Sequence, residues 1–231
     1  TCHINVNDGS GSFANAPAGT TCTVSITAGP GTPATQNCAT VGTTGDCQVT
    51  ISSNVTGQTT IHATTTVTVG GVTMTRSTGD AHAGDSPDAT KQWVNARILI
   101  APNATNEVGQ PHTFTVTVQQ DTGAGFVNVG AGLPCNVTLT PANGASPVPA
   151  GPFNLQTNAN GQCQVTFTSN TAGQVIGNAS STVTINGVQM NVSTNGVAPN
   201  SGPAVKTFVD ANIQISPATA EAASIPLPTS L

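Results

Sequence analysis

The chain has 231 residues, only 6% of them charged, and a net charge of −5. Its four lysine and arginine residues are too few to neutralise a phosphate backbone, which excludes a nucleic-acid partner. Hydrophobic residues make up 36% of the sequence and alternate with polar ones, which excludes a disordered chain. No run of about 18 apolar residues occurs, so we expect no membrane-spanning helix.

The first half of the chain contains short segments in which apolar and polar residues alternate, as in strands with one buried face. These segments are His3 to Val6, Cys22 to Ile26, Cys47 to Ser53, Thr59 to Val69 and Val72 to Ser77. Glycine-rich and proline-rich loops separate them, and Gly70-Gly71 is typical of a hairpin turn. Residues 79–92 lose the alternation, which predicts a domain boundary, and WVNARILI over residues 93–100 resumes it.

The second half repeats this order of segments. TNANGQCQVTFTSNTAGQV at residues 157–175 matches TTGDCQVTISSNVTGQT at 43–59, and FVDANIQI at 208–215 matches WVNARILI. Many short strands without a helical period predict an all-β fold of two tandem Ig-like β-sandwich domains. We predict domain one at residues 1–88, domain two at 89–203, and a surplus opening strand with a tail at 204–231.

The six cysteines predict three disulfides and therefore an oxidising, extracellular environment. The predicted pairs are Cys22–Cys47, Cys135–Cys163 and Cys2–Cys38. The first two pairs occupy matching positions in the two repeats, and the third joins the cysteines that remain. Free buried thiols are the alternative, and a zinc site is disfavoured because the chain has no Cys-x-x-Cys pair.

The segment NANGQCQVTFTSNTAGQVIGNAS, residues 158–180, resembles the late strands of bacterial immunoglobulin-like domains of the invasin/intimin type. VNARILIAPNATNEVGQPHTFTVTVQQDTG, residues 94–123, resembles the opening strands of the same family. The resemblance covers nearly the whole chain as two copies and rests on turn and core positions. It implies extracellular, rigid, tandem spacers of cell-surface proteins that work without catalysis and without a cofactor.

The two repeats do not contain the same strands. Lys91 to His112 opens domain two, and its counterpart, Lys206 to Leu227, has no domain of its own. Aligning Cys22 with Cys135 places Thr1 near Phe114, so domain one lacks an opening strand. A sandwich without one strand exposes unpaired backbone groups and accepts a strand from elsewhere.

Two functions follow from this arrangement. In the first, the chain is a non-enzymatic subunit of an extracellular filament or surface stalk, and its C-terminal strand completes domain one of the next copy. The predicted donor residues are Val209, Ala211, Ile213, Ile215, Ile225 and Leu227. In the second, the chain is an excerpt of a longer covalent adhesin, and the strand enters the next repeat. Such an adhesin would bind a glycan or protein through loops such as Asp8 to Gly19 and Asp121 to Gly132.

Other candidate sites have weaker signals. Lys91, Trp93, Lys206 and Phe208 occupy matching positions, and we predict that they pack at the domain junctions. The acidic stretch from Asp80 to Asp88 has no regular calcium-loop pattern, so we predict no metal, and no motif for catalysis is present. Possible glycosylation sites are Asn54, Asn103, Asn136, Asn178 and Asn191, each within an Asn-x-Ser/Thr triplet.

Overall fold

The computed structural model of the chain describes residues 1–216 and is all-β. It forms two tandem Ig-like β-sandwich domains, as the sequence predicts, with twenty strands over the described residues. None of these residues belongs to a helix that is long and apolar enough to cross a membrane.

Domain two is a complete sandwich of two sheets. Its strands are β10 (Asn95–Ala101), β11 (Ala104–Glu107), β12 (His112–Asp121), β13 (Val127–Asn128), β14 (Pro134–Ala142), β15 (Pro147–Val148), β16 (Phe153–Gln156), β17 (Gln162–Ser169), β18 (Gly173–Ile185), β19 (Val188–Ser193) and β20 (Ala204–Val209). One sheet has the order β10-β12-β17-β15, with β13 beside β12. The other has the order β11-β20-β18-β14-β16, with β19 beside β18.

The period-two pattern of the sequence explains the core of domain two. On β12, Phe114, Val116 and Val118 are each 0% exposed, and the threonines between them are half-buried. Val165 and Phe167 on β17 face the same space between the sheets. Each strand thus buries one side and leaves hydroxyl and amide groups on the other.

Domain one has the same late strands but a reduced second layer. Its strands are β1 (Cys2–His3), β2 (Asn5–Val6), β3 (Ala14–Asn15), β4 (Thr21–Ala28), β5 (Thr35–Ala39), β6 (Asp46–Cys47), β7 (Gly57–Val69), β8 (Val72–Ser77) and β9 (Ala89–Trp93). One sheet has the order β5-β4-β7-β8, with β9 beside β7. The facing layer consists of the two-residue pairs β1-β6 and β2-β3.

The structure moves both predicted domain boundaries by a few residues. β9 pairs with β7, so residues 89–93 close domain one and do not open domain two. In the same way β20 pairs with β18 and, in parallel, with β11, so Ala204–Val209 is the last strand of domain two. Domain one therefore extends to Trp93, domain two runs from Asn95 to Val209, and the surplus segment begins at residue 210.

Two of the three predicted disulfide pairs are wrong. The structure contains Cys135–Cys163, but in domain one it pairs Cys2 with Cys22 and Cys38 with Cys47. The reason is crowding: the Sγ atoms of Cys2, Cys22 and Cys47 lie within 4.8 Å of one another. Repeat matching identified two of these positions but could not rank partners within such a cluster.

Candidate functional site

The core of domain one is open on the side where the core of domain two is closed. Val183 and Ala179 on β18 are 1% and 4% exposed. Their repeat counterparts on β7, Val67 and Ala63, are only half-buried. The residue types are the same in the two domains, so the difference in exposure arises from the elements that pack over these side chains.

The covering element in domain two is β10. This strand pairs with the outer edge of β12 and packs across the sandwich on β18 and β19. Within residues 1–216, no strand pairs with the corresponding outer edge of β1, and β9 lacks a parallel neighbour like the one that β11 gives β20. Domain one therefore presents an unpaired strand edge beside a half-buried apolar surface.

The strand pairing shows which residues form this open edge. β1 pairs with β6 so that Cys2 lies opposite Cys47, and β12 pairs with β17 so that Val116 lies opposite Cys163. Cys47 and Cys163 are repeat counterparts, so Cys2 takes the place of Val116. By the same register Ile4 takes the place of Val118, since each donates its N–H to the glycine before the next strand. The sequence alignment, which placed Thr1 at Phe114, was one residue out of register here.

The segment after β20 carries the side chains of an opening strand without a core around them. Ile213 and Ile215 are 96% and 88% exposed. Their repeat counterparts on β10, Ile98 and Ile100, are 0% and 6% exposed. Val209 belongs to β20 instead of this segment, and the predicted donor residues Ile225 and Leu227 lie outside the described residues.

The junction between the two domains is built from a turn and a strand start. The Thr56 hydroxyl donates a hydrogen bond of 2.9 Å to the Asp121 carboxylate, which also accepts the N–H groups of Gly123 and Gly125. The Gly123 N–H is the largest cause of a lowered pKa for Asp121, so the carboxylate stays ionised at the junction. Trp93 is half-buried here, and its indole N–H donates to the Thr59 hydroxyl. Sequence analysis did not identify Asp121 as a junction residue, although Asx-x-Gly-x-Gly occurs in both repeats.

Two of the predicted junction residues lie elsewhere. Lys206 and Phe208 point into the core of domain two and are 0% and 1% exposed, whereas Lys91 is exposed on domain one. Among the described residues, the Lys206 ammonium has no hydrogen-bond partner, and neither has Nε2 of the buried His112. Burial lowers the pKa of Lys206, and burial together with the nearby Lys206 charge lowers the pKa of His112.

One side-chain cluster on domain one has the atom order of a catalytic triad. His62 Nε2 lies 3.2 Å from the Thr64 hydroxyl, and its Nδ1 lies 2.9 Å from an Asp88 carboxylate oxygen. Asp88 also accepts the Thr78 hydroxyl at 2.6 Å, the largest cause of its lowered pKa. However, β7 is paired with β4 on one side and β8 on the other at Thr64, and the adjacent Ala63 N–H donates to the Thr78 hydroxyl. Within residues 1–216, these side chains therefore form a hydrogen-bonded network on the surface of β7.

The predicted acidic stretch does not converge on a common point. Asp80 accepts the backbone N–H of His82, and Asp85 lies 3.6 Å from the His82 ring in an exposed loop. The described residues contain one group with metal-ligand spacing, Cys2, Cys22 and Cys47, and all three sulfurs are in disulfides.

The five asparagines of the predicted glycosylation triplets differ in accessibility. Asn54, Asn103, Asn136 and Asn191 are exposed, and Asn178 is half-buried on β18. The side-chain oxygens of two of them are engaged: Asn103 accepts the Val205 N–H and Asn191 accepts the Thr182 hydroxyl. Their modification stays a prediction.

Comparisons with known proteins give one likeness. No family model matches the chain, and no curated protein does. A solved structure described as the D0-D1 domain of Intimin is 18% identical, and the match covers 87% of this chain and 92% of that chain with a TM-score of 0.28. A TM-score of this size does not establish a common fold, so the architecture given above rests on the chain's own strands.

Proposed function

We propose that this chain is a non-enzymatic structural subunit of an extracellular filament or surface stalk. In the assembly, the segment that follows β20 in one copy adds to the open edge of β1 in the next copy. The contact joins two different surfaces of the chain, so it is heterologous and propagates without closing. Main-chain hydrogen bonds supply affinity in such strand addition, and alternate side chains supply specificity.

The match of register between tail and edge carries this proposal. When the pairing of β10 with β12 is transferred to the tail and β1, apolar residues face the core on both sides. The resulting inward pairs are Ala211 with Val6, Ile213 with Ile4, and Ile215 with Cys2. The outward pairs, Asn212 with Asn5 and Gln214 with His3, are polar. A shift of one residue would reverse both faces.

The polar pair at the start of the added strand also matches. Within the chain, Asn95 on β10 lies opposite Asp121 on β12. The transferred register places Asp210 opposite Asn7, so each pair contains one carboxylate and one amide. Neither joint places two carboxylates opposite each other, an arrangement that would be destabilising.

Burial of the tail's two isoleucine side chains would contribute substantially to the free energy of strand addition. Removing an isoleucine side chain from water contributes about 1.5–3 kcal/mol, and both Ile213 and Ile215 would be buried. The ladder hydrogen bonds of a seven-residue strand such as β10 add to this. Association costs several kcal/mol of lost freedom, so stable assembly needs both contributions.

The three disulfides indicate that the chain folds in an oxidising compartment, which agrees with the proposed extracellular location.

The test compares the full chain with variants of the tail by sedimentation velocity and negative-stain electron microscopy. We expect concentration-dependent filaments from the full chain, and monomers from a chain that ends at Val209 and from the Ile213→Asp/Ile215→Asp variant. The Asn212→Ser/Gln214→Ser variant changes only outward positions and serves as the matched control, so it should assemble normally. A full chain that stays monomeric, or assembly that the aspartates leave intact, contradicts the proposal.

A further inference from the structure

The junction inside the chain depends on a close approach of two glycines from different domains. A Cβ atom added to Gly123 would lie 2.6 Å from the Cα atom of Gly57, which is closer than real Cβ contacts allow. Gly57 begins β7 of domain one, and Gly123 lies in the Asp121–Gly125 turn of domain two. The end of one domain and this turn of the following domain therefore dock backbone to backbone.

The chain carries a second copy of each half of this junction, one half in each domain. The turn from Asn7 to Gly11 shares the first hydrogen bond of that turn: Asn7 accepts the Gly9 N–H at 3.0 Å, as Asp121 accepts that of Gly123 at 2.7 Å. The second bond differs, since Gly125 donates to Asp121 whereas Ser10 donates to Asp8. Gly9 has a φ of +95°, but no atom of residues 1–216 lies within 4 Å of the Cβ it would carry. The counterpart of Gly57 is Gly173, which begins β18 in domain two. On its Cβ side Gly173 packs against the backbone of its own domain at Asn143 and Ala145, so a partner has to approach its Cα from another side, as Gly123 approaches Gly57.

We infer that the Asn7–Gly11 turn is a docking surface for residues Ala172–Gly173 of a second copy of this chain. The contact reproduces the internal junction, with Gly9 against Gly173 in place of Gly123 against Gly57. This inference rests on the proposed strand donation, since the donated segment leaves the same end of domain two that carries Gly173. It adds a second contact that fixes the angle between successive subunits.

The residues that differ between the two junctions change together. Asp121 is a buried carboxylate and receives the Thr56 hydroxyl. In the proposed junction the neutral Asn7 replaces Asp121, and Ala172 replaces Thr56. The Asn7 amide facing the Ala172 methyl group leaves no unpaired charge. A carboxylate at the Asn7 position would lack the hydroxyl donor that Thr56 supplies to Asp121 in the internal junction. In both the internal and the proposed junction, the residue opposite the turn thus suits the charge of the side chain that begins the turn.

The test places a side chain at Gly9 in the full chain. Asparagine adopts positive φ more readily than most residues, and the described residues leave open space around the exposed Gly9, so we expect the backbone strain of Gly9→Asn to stay within this turn. In the assembly its side chain would overlap Gly173. We expect the association measured by sedimentation velocity to weaken at least about tenfold, as for a central interface contact. Gly11→Asn is the matched control, since Gly11 has a φ of +99° and carries the same backbone strain, and a Cβ added to its counterpart Gly125 would meet none of the described residues within 4 Å. It should associate like the wild type.

The outcomes separate this inference from the strand donation beneath it. If Ile213→Asp/Ile215→Asp abolishes assembly but Gly9→Asn associates like the wild type, the docking surface is wrong and strand donation stands. If Gly9→Asn and Gly11→Asn weaken association equally, the close approach at Gly9 is also wrong. If the full chain never associates, both ideas fail together.

Discussion

Two lysines at the same repeat position show how environment decides the role of a residue. Lys91 is exposed, and its ammonium lies 5.5 Å from the Trp93 ring. Lys206 is fully buried beside the Phe208 ring at 5.0 Å, because β11 and the core aromatic residues of domain two enclose it. The matching lysine positions are visible in the sequence, but burial depends on a strand beside β20 that has no counterpart beside β9 within the described residues.

Replacing Lys206 by methionine should stabilise domain two. The Lys206→Met change removes an unpartnered buried amine and keeps the apolar stem, so we expect the free energy of unfolding to rise by about 1–3 kcal/mol. Because burial lowers the pKa of Lys206 in the fold, wild-type stability should be higher near the ordinary lysine pKa of about 10.4 than at about pH 7, and the variant should lack this increase. Denaturant unfolding at both pH values measures both effects. Lys91→Met, the exposed counterpart, should change stability by less than about 0.5 kcal/mol.

His112 should make domain two sensitive to acid. Its ring packs edge-on against Phe114 at 4.8 Å, and its pKa is lowered by burial and by Lys206. Below the ordinary histidine pKa of about 6.5 the unfolded chain binds a proton that the folded chain does not, so stability falls with falling pH. Thermal unfolding as a function of pH should show this fall in the wild type and a shallower one in His112→Phe. Substituting the exposed His82 by glutamine should leave the profile of domain two unchanged; a flattened profile in that variant would contradict the assignment.

At the scale of elements, the all-β class and most strands follow from period-two alternation, but the domain boundaries do not. WVNARILI alternates without a break, yet Trp93 ends β9 in one sheet and Asn95 begins β10 in another. Both strands are extended and only Val94 separates them, so the pattern continues through the boundary. Hydrogen-bond partners, which a sequence does not display, decide where one strand ends.

The open edge of domain one was predictable in outline and not in register. Comparing the repeats indicated that an opening strand is absent from domain one. The residue-by-residue match of tail and edge required the pairing of Cys2 with Cys47, because the loop after Gly11 is one residue longer in domain one than after Gly125. Turn length sets strand register, and an alignment anchored beyond that loop carries its error into β1.

The same isoleucine-to-alanine substitution should have different effects on β10 and on the equivalent segment of the tail. Ile98→Ala removes a fully buried side chain from domain two and should lower its free energy of unfolding by about 2–5 kcal/mol. Ile213→Ala affects the equivalent side chain of the tail, which is 96% exposed, so unfolding of the dilute chain should not change. Assembly at high concentration should instead weaken. A loss of stability in the dilute Ile213→Ala chain would mean that the tail folds back on its own subunit.

At the scale of the whole molecule, low charge and strand addition fit together. With 6% charged residues and a net charge of −5, the chain has few long-range electrostatic interactions to guide or oppose assembly. The contacts proposed between copies are backbone ladders, isoleucine side chains and a glycine-on-glycine approach. Such contacts depend little on ionic strength, so we expect assembly to change little between about 0.05 M and about 0.5 M salt in sedimentation experiments. A steep loss of association with salt would point to charge pairs instead.

The difference between a complete and an incomplete sandwich should appear as two thermal transitions. Domain one encloses a much smaller buried core than domain two and leaves residues around it half-buried, so calorimetry of a chain ending at Val209 should show domain one melting first. Adding a synthetic peptide of residues 210–227 should raise only that first transition, since a ligand at about 100 times its Kd stabilises by about 2.7 kcal/mol. A peptide with Asn212 and Ile213 exchanged, and likewise Gln214 and Ile215, points the isoleucines outward and should have no effect. Equal stabilisation by both peptides would mean that apolar character alone, without the register of Ile213 against Ile4, holds the strand.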